Sequence, residues 1–171
     1  MLSGTLFKRG IDCAFNGKQN QVFIFSGNKC AIIQYVPGSD HSTKGDVIKG
    51  PFPINQKFTQ LQGTRFEYDI DAAIRYTEKY VYLFKKEKCI QLNYLTGEHY
   101  GERRIHECFP FLVGTVFETG IDAAFASNDT GNAYIFKGKH YVRINVAERD
   151  GKAMGNFIVS SRIRFIGDIW N

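Results

Sequence analysis

Three aspartates first ask for a chemical explanation. Asp12, Asp71 and Asp122 each follow an isoleucine (Ile11, Ile70, Ile121), and each has an alanine two positions later (Ala14, Ala73, Ala124). A carboxylate in such a setting can take part in acid–base chemistry, hold a hard cation, or accept main-chain N–H groups. Catalysis needs partners, and the patterns that supply them are missing: there is no GxSxG, no HExxH, and no Gly-rich loop ending in Lys-Ser or Lys-Thr. The expectation is a protein that is not an enzyme. His41, His99, His106 and His140 all fall in loops or at strand ends, where an ordinary surface role is the default. Cys13, Cys30, Cys89 and Cys108 lie 17, 59 and 19 residues apart, which gives no paired CxxC for zinc or redox work. Their apolar surroundings suggest buried free thiols.

The aspartates are positioned by a repeat. The stretch from Leu112 to Ala124 matches Leu2 to Ala14 and Leu61 to Ala73, with seven of thirteen positions identical in all three copies. The shared residues are Leu2/Leu61/Leu112, Gly4/Gly63/Gly114, Thr5/Thr64/Thr115 and Phe7/Phe66/Phe117, followed by the Ile, Asp and Ala already named. An apolar block follows each copy, at Val22 to Phe25, Val81 to Phe84 and Ala133 to Phe136, and a lysine stands 17 residues after each Asp, at Lys29, Lys88 and Lys139. The units are offset by 59 and 51 residues, a period that points to solenoids, propellers or arrays. We divide the chain into repeats of approximately 2–60, 61–111 and 112–171 within one domain, 1–171.

Each unit reads as four short strands. In the first, 11–15, 21–25 and 29–35 alternate with turn-rich links, and 46–48 forms a short outer strand that Gly50-Pro51 ends. The second has strands at 70–74, 80–84 and 89–94, a loop around Gly97 and Gly101, and an outer segment near Arg104 to His106. The third has 121–125, 133–136 and 141–146, then 156–159. Helix is confined to single turns before each Leu-x-Gly-Thr block. Four antiparallel strands per unit form a propeller blade. Around its axis a side chain larger than Ala14, Ala73 or Ala124 collides with its neighbours, while Phe15, Ile74 and Phe125 pack between blades.

Composition agrees with an all-β domain. Hydrophobic residues make up 43% and aromatic ones 15%, which suits packed strands rather than a disordered chain. The net charge is +5, but the 22 basic residues are scattered in runs of no more than two, as at Lys85-Lys86 and Arg103-Arg104, so no nucleic-acid surface is expected. No apolar run is long enough for a signal sequence or a membrane span, and the expected setting is soluble and intracellular with reduced cysteines. The sequon Asn128-Asp-Thr130 matters only if that setting is wrong.

These residues carry a family resemblance. Gly120-Ile-Asp-Ala-Ala-Phe125 followed by Ala133-Tyr-Ile-Phe-Lys-Gly-Lys-His-Tyr-Val-Arg-Ile144 resembles the hemopexin repeat. More narrowly, Phe117 to Ser127, Cys30-Ala-Ile-Ile-Gln-Tyr-Val-Pro-Gly38 and Asp12-Cys-Ala-Phe15 resemble the legume seed albumins of hemopexin fold. The resemblance implies a four-bladed β-propeller from the seed cytosol, of which this sequence resembles the last three blades. It implies a storage protein that binds a small ligand, heme or a polyamine, and ions in the central tunnel: calcium, with sodium and chloride as further candidates. Main-chain oxygens of Asp12, Asp71 and Asp122 would hold the calcium, and those around Ala14, Ala73 and Ala124 a second ion. For the three carboxylates the alternative is to cap neighbouring turns. For heme the pair to test is His140 and Tyr141. A homodimer is compatible with this reading. The rival is a lectin-like hemagglutinin that binds glycans, or a protein-interaction module.

Overall fold

The computed structural model describes residues 10–38, 47–127 and 131–146, together with the main chain of 164–165. These residues form three antiparallel sheets of four strands each. The first holds β1 (Cys13–Asn16), β2 (Gln21–Ser26), β3 (Lys29–Gln34) and β4 (Val47–Pro53). The second holds β5 (Ala72–Arg75), β6 (Tyr80–Lys85), β7 (Lys88–Asn93) and β8 (His99–Arg104), and the third β9 (Ala123–Ala126), β10 (Asn132–Lys137), β11 (His140–Asn145) and β12 (Arg164–Phe165). Every sheet is a meander in chain order, and β5 has β1 on one side and β9 on the other. The sheets are therefore blades whose first strands stand together.

Two links join the blades, and they are copies. Helix α1 (Ile54–Lys57) and helix α2 (Ile105–Cys108) are single turns, each followed by two 3₁₀ turns. The repeated Leu-x-Gly-Thr-x-Phe motif acquires its physical meaning here. Leu61 and Leu112 are buried. Gly63 and Gly114 take φ values of 78° and 72°, a region open to glycine, and their N–H groups donate to Glu67 and Glu118 at 2.9 and 3.0 Å. Thr64 and Thr115 cap the second 3₁₀ turn by accepting from the N–H of Phe66 and Phe117, while their hydroxyls donate to Leu61 and Leu112 carbonyls at 2.7 Å. Both phenylalanines are fully buried. The first copy, Leu2 to Phe7, lies outside the described residues, as do His41, the sequon and the segment 156–159.

The core is divided between the blade interfaces. Phe15, Phe23 and Phe25 of the first blade meet Phe58, Phe66 and Leu83. Ile74, Tyr82 and Phe84 of the second meet Phe109, Phe117 and Ile135. Each layer is filled by aromatic rings from one blade set against aliphatic side chains from the next, which buries a large apolar area per residue.

Three expectations need correction. The outer strands are longer than the sequence suggests: β4 runs through Gly50-Pro51, and β8 passes through Gly101 to end at Arg104, where α2 begins. An edge strand tolerates a proline because its outward N–H needs no partner. The glycines sit at matching register shifts, between Cys30 and Ile32 and between Ile90 and Leu92, with φ of 106° at Gly50 and 80° at Gly101. The crowding predicted around all three inner strands holds for only one. Ala73 is 1% exposed, whereas Ala14 is exposed and Ala124 half-buried. Likewise Phe15 and Ile74 are buried between blades but Phe125 is 51% exposed. Among the described residues only β5 has another inner strand on both flanks, so the same sequence position meets different neighbours in each copy.

Replacing Ala73 with leucine should cost about 1–3 kcal/mol through overpacking. Leucine at Ala123, the exposed first position of β9, should change stability by less than about 0.5 kcal/mol. Chemical denaturation of the two variants beside the wild type checks both values.

Candidate functional site

The inner strands end in two cavities at opposite ends. At their start Asp12, Asp71 and Asp122 come together with Asp69 and Ile70 around a cavity of about 470 Å³. At their far end a cavity of about 330 Å³ is lined by Ala14, Asn16, Ala73, Arg75 and Ser127, among others. One mouth is acidic and the other carries an arginine, whose guanidinium donates to the Gly17 carbonyl at 2.8 Å and thereby ties the second blade to the first. Ala124 is not on that wall; it packs against the apolar layer between the second and third blades.

The three aspartates lie one residue before β1, β5 and β9, and their carboxylates perform the same task three times. Asp12 accepts the N–H of Gly27 at 2.6 Å, Asp71 that of Lys86 at 2.6 Å, and Asp122 that of Gly138 at 2.7 Å. Each donor is the first residue of the two-residue turn between the second and third strands, with φ of 55°, 50° and 55°. The main-chain N–H of the same aspartates donates to the carbonyls of Phe25, Phe84 and Phe136 at 2.8–2.9 Å. Each aspartate thus fastens the inner strand to the next hairpin twice. Lys86 holds a left-handed backbone without being glycine, at a cost of roughly 1–2 kcal/mol that the carboxylate bond helps to offset.

The acidic mouth is not uniform. Lys137 donates to the second oxygen of Asp122 at 2.8 Å, and this contact with the Gly138 amide holds the carboxyl below the usual aspartate range. Lys85, which replaces Lys137 in the second blade, instead donates to the Tyr68 carbonyl at 2.5 Å and lies 3.6 Å from the Tyr68 ring centroid. Asp69 enters from the linker with φ of 49°, its N–H on the Gly27 carbonyl at 2.8 Å. Among the described residues no three His, Cys, Asp or Glu side chains are grouped as metal ligands. A hard cation at this mouth would take main-chain and water oxygens, with the carboxylates supplying charge. The donor chemistry fits that use, since all three clamp carboxylates already hold a turn.

The described histidines, His99, His106 and His140, do not converge on an apolar pocket. Both ring nitrogens of His99 are engaged, Nε2 with the Gln60 carbonyl at 2.9 Å and Nδ1 with the Gly101 N–H at 3.0 Å. His106 pairs with Glu118 at 2.8 Å. His140 and Tyr141 are successive residues of β11 and face opposite sides of the sheet. Tyr141 joins Phe136 and Phe125 in a run of stacked rings. A third cavity of about 330 Å³, lined by Gln60, Glu98, His99 and Tyr100, lies on the outer part of the second blade. Sequence reasoning missed this one, because Gln60 is brought to Tyr100 by the fold and not by spacing.

The clamp makes its own predictions. Asp71→Ala strands the Lys86 N–H and should cost about 1 kcal/mol, whereas Asp71→Asn keeps an acceptor and most of the stability. The depressed Asp122 carboxyl contributes stability above the ordinary aspartate value of about 3.9, and that contribution is lost as pH falls through its lower folded-state value. The stability difference between wild type and Asp122→Asn, followed by denaturation across acid pH, should shrink accordingly.

Comparison with known proteins places these features in a family. The profile described as Hemopexin matches residues 121–154, which include β9, β10 and β11. Albumin-2 of Lathyrus sativus is 39% identical over 173 aligned residues, covering 99% of this chain and 73% of that protein. The crystal structure of a hemopexin fold protein, CP4 from cow pea, superposes with a TM-score of 0.85 at 43% identity, over 99% of this chain and 73% of the other. A plant lectin with two metal binding sites from Cicer arietinum superposes equally well, at a TM-score of 0.85 and 42% identity, with 99% and 73% covered. With its repeated clamp, its blade meander and a relative of this similarity along nearly its whole length, the chain belongs to the legume seed albumins of hemopexin fold.

Proposed function

We propose that this is a non-enzymatic seed reserve protein whose propeller axis binds a cation at its acidic mouth. The observation that supports this reading is the gathering of Asp12, Asp69, Asp71 and Asp122 around one cavity in a chain of net charge +5. Four carboxylates in a positive protein focus a local negative potential that attracts cations. Calcium is the ion we assign there, held by main-chain oxygens of Asp12, Asp71 and Asp122, and it would act as a staple between the blades. A second ion is assigned to the far end near Ala14 and Ala73 but not Ala124, and the presence of Arg75 there favours chloride, held by N–H donors, over sodium held by main-chain oxygens. The same acidic cavity suits a polyamine, a cationic chain that carboxylates can pair. Heme is the less favoured small ligand, because His140 and Tyr141 do not share a face. The seed cytosol as setting fits the family, and no helix among the described residues is long and apolar enough to cross a membrane.

Titration calorimetry on chelator-treated protein tests the assignment. Calcium should bind and raise the thermal midpoint, and spermidine should compete with it. Asp69→Asn, which removes one charge without touching a clamp, should weaken calcium binding several-fold, as the loss of one nearby charge at an effective dielectric of about 20 implies. Absence of calcium binding, with spermidine bound normally, would replace the ion by the polyamine.

A second reading, lectin activity, is favoured by the outer cavity of the second blade. Tyr100 is 51% exposed there and stands beside Glu98 and Gln60. An aromatic face with adjacent carboxylate and amide groups matches the CH face and hydroxyls of a sugar. The similarity to a plant lectin adds to this reading. Tyr100→Ala should lower any hemagglutination titre by about tenfold, while Asp69→Asn should leave it unchanged. Equal titres for wild type and Tyr100→Ala would remove the sugar from this cavity.

A further inference from the structure

The fold brings together two cysteines that the sequence separates. Cys89 is the second residue of β7 and fully buried, and Cys108 ends α2 and is half-buried. Their Sγ atoms are 2.9 Å apart, with Cys89 donating to Cys108. Both supports are fixed. Cys89 lies in the middle of a four-stranded sheet, opposite Phe84 and Arg103. The helix turn carrying Cys108 is closed by the Phe109 N–H on the Ile105 carbonyl at 2.8 Å and by the Arg104 N–H on the Glu107 carboxylate at 2.5 Å. The two sulfurs need to close by less than about 1 Å to reach the disulfide length of about 2.05 Å.

We propose that Cys89 and Cys108 form a peroxide-oxidisable pair, which closes a disulfide between β7 and α2 of the middle blade. The two thiols are chemically unequal. The hydrogen bond from Cys89 holds Cys108 below the usual thiol value, and the Arg103 cation adds to this against the opposing effect of burial. Cys89 is pushed up by donating that bond and by burial. Cys108, the more accessible of the two, is therefore the attacking thiolate. Its sulfur attacks hydrogen peroxide, an S–O bond forms as the O–O bond breaks, and hydroxide leaves, giving a sulfenic acid. Cys89 then attacks that sulfur, the S–S bond forms as the S–O bond breaks, and the hydroxyl departs as water with the Cys89 proton. In sum the two thiols lose two electrons and two protons, and the peroxide becomes two waters.

The repeat supplies an internal control. Cys30 occupies in the first blade the position of Cys89, since each pairs with the last phenylalanine of its neighbouring strand. The residue equivalent to Cys108 is Lys57, the last of α1. Burial pushes the Cys30 thiol up to about 12 despite that lysine, and it also pushes up Cys13. The same site in the third blade holds Tyr141, opposite Phe136. Of the four cysteines, two are thus arranged to react, while burial keeps the thiols of the other two protonated.

Reduced protein treated with excess hydrogen peroxide, then alkylated and digested without reductant, should lose two hydrogens of intact mass. The peptide map should show one cross-link, Cys89 to Cys108, with Cys13 and Cys30 still thiols. Closing a loop of this length should raise the thermal midpoint by about 5–10 °C, reversibly on addition of dithiothreitol. Cys108→Ser should show neither the link nor the rise; if that variant fails to fold, the wild-type peptide map alone decides. Unchanged mass, oxygen addition without a link, or a link through Cys13 or Cys30 would overturn the proposal.

Discussion

An aspartate carboxylate accepting the amide of a left-handed turn residue is the interaction on which the blades depend. It occurs at Asp12, Asp71 and Asp122, and each time it joins the start of the inner strand to the hairpin that follows. An inner strand of four residues has few ladder bonds of its own, and its first residue would otherwise fray. Fastening that end sets the height at which each strand meets the axis. The acidic mouth follows as a by-product: three structural carboxylates must lie near one another because three strands begin at the same level.

The interfaces then follow from register. Once Ala73 pairs with Leu83 and Ile74 with Tyr82, alternate residues of the second blade are committed to opposite layers. Phe84 and Tyr82 are sent toward Phe109, while Leu83 and Val81 are sent toward the rings of the first blade. The linker residues Phe58 and Phe109 act as wedges at equivalent places, each following a single helical turn. The apolar core of this propeller lies between its sheets.

Much of this was legible in the sequence. Seven repeated positions disclosed the unit, the alternation of apolar residues disclosed the strands, and the triplicate aspartate disclosed where the strands converge. The repeat could not show which copies are enclosed, because Ala14, Ala73 and Ala124 are one residue type in three environments. The outer strands were also misjudged, since Gly50-Pro51 and Gly101 read as breaks when they are bulges inside continuous edge strands. The Cys89–Cys108 pair and the cavity beside Tyr100 depend on α2 and the linker folding back across the sheet, which no local pattern records. His140 and Tyr141 show the opposite error: adjacency in sequence is separation in a strand.

The bulged outer strands have a consequence for how closely such molecules can be packed together. Among the described residues β4 and β8 are the outer rims of their sheets, the place where a neighbouring molecule could add a strand and begin an ordered aggregate. The shift at Gly50 or Gly101 interrupts the run of evenly spaced donors and acceptors. Pro51 removes one donor from β4, and Glu102, Arg103 and Arg104 place consecutive charges along β8. Molecules built in this way can be crowded together without templating fibrils.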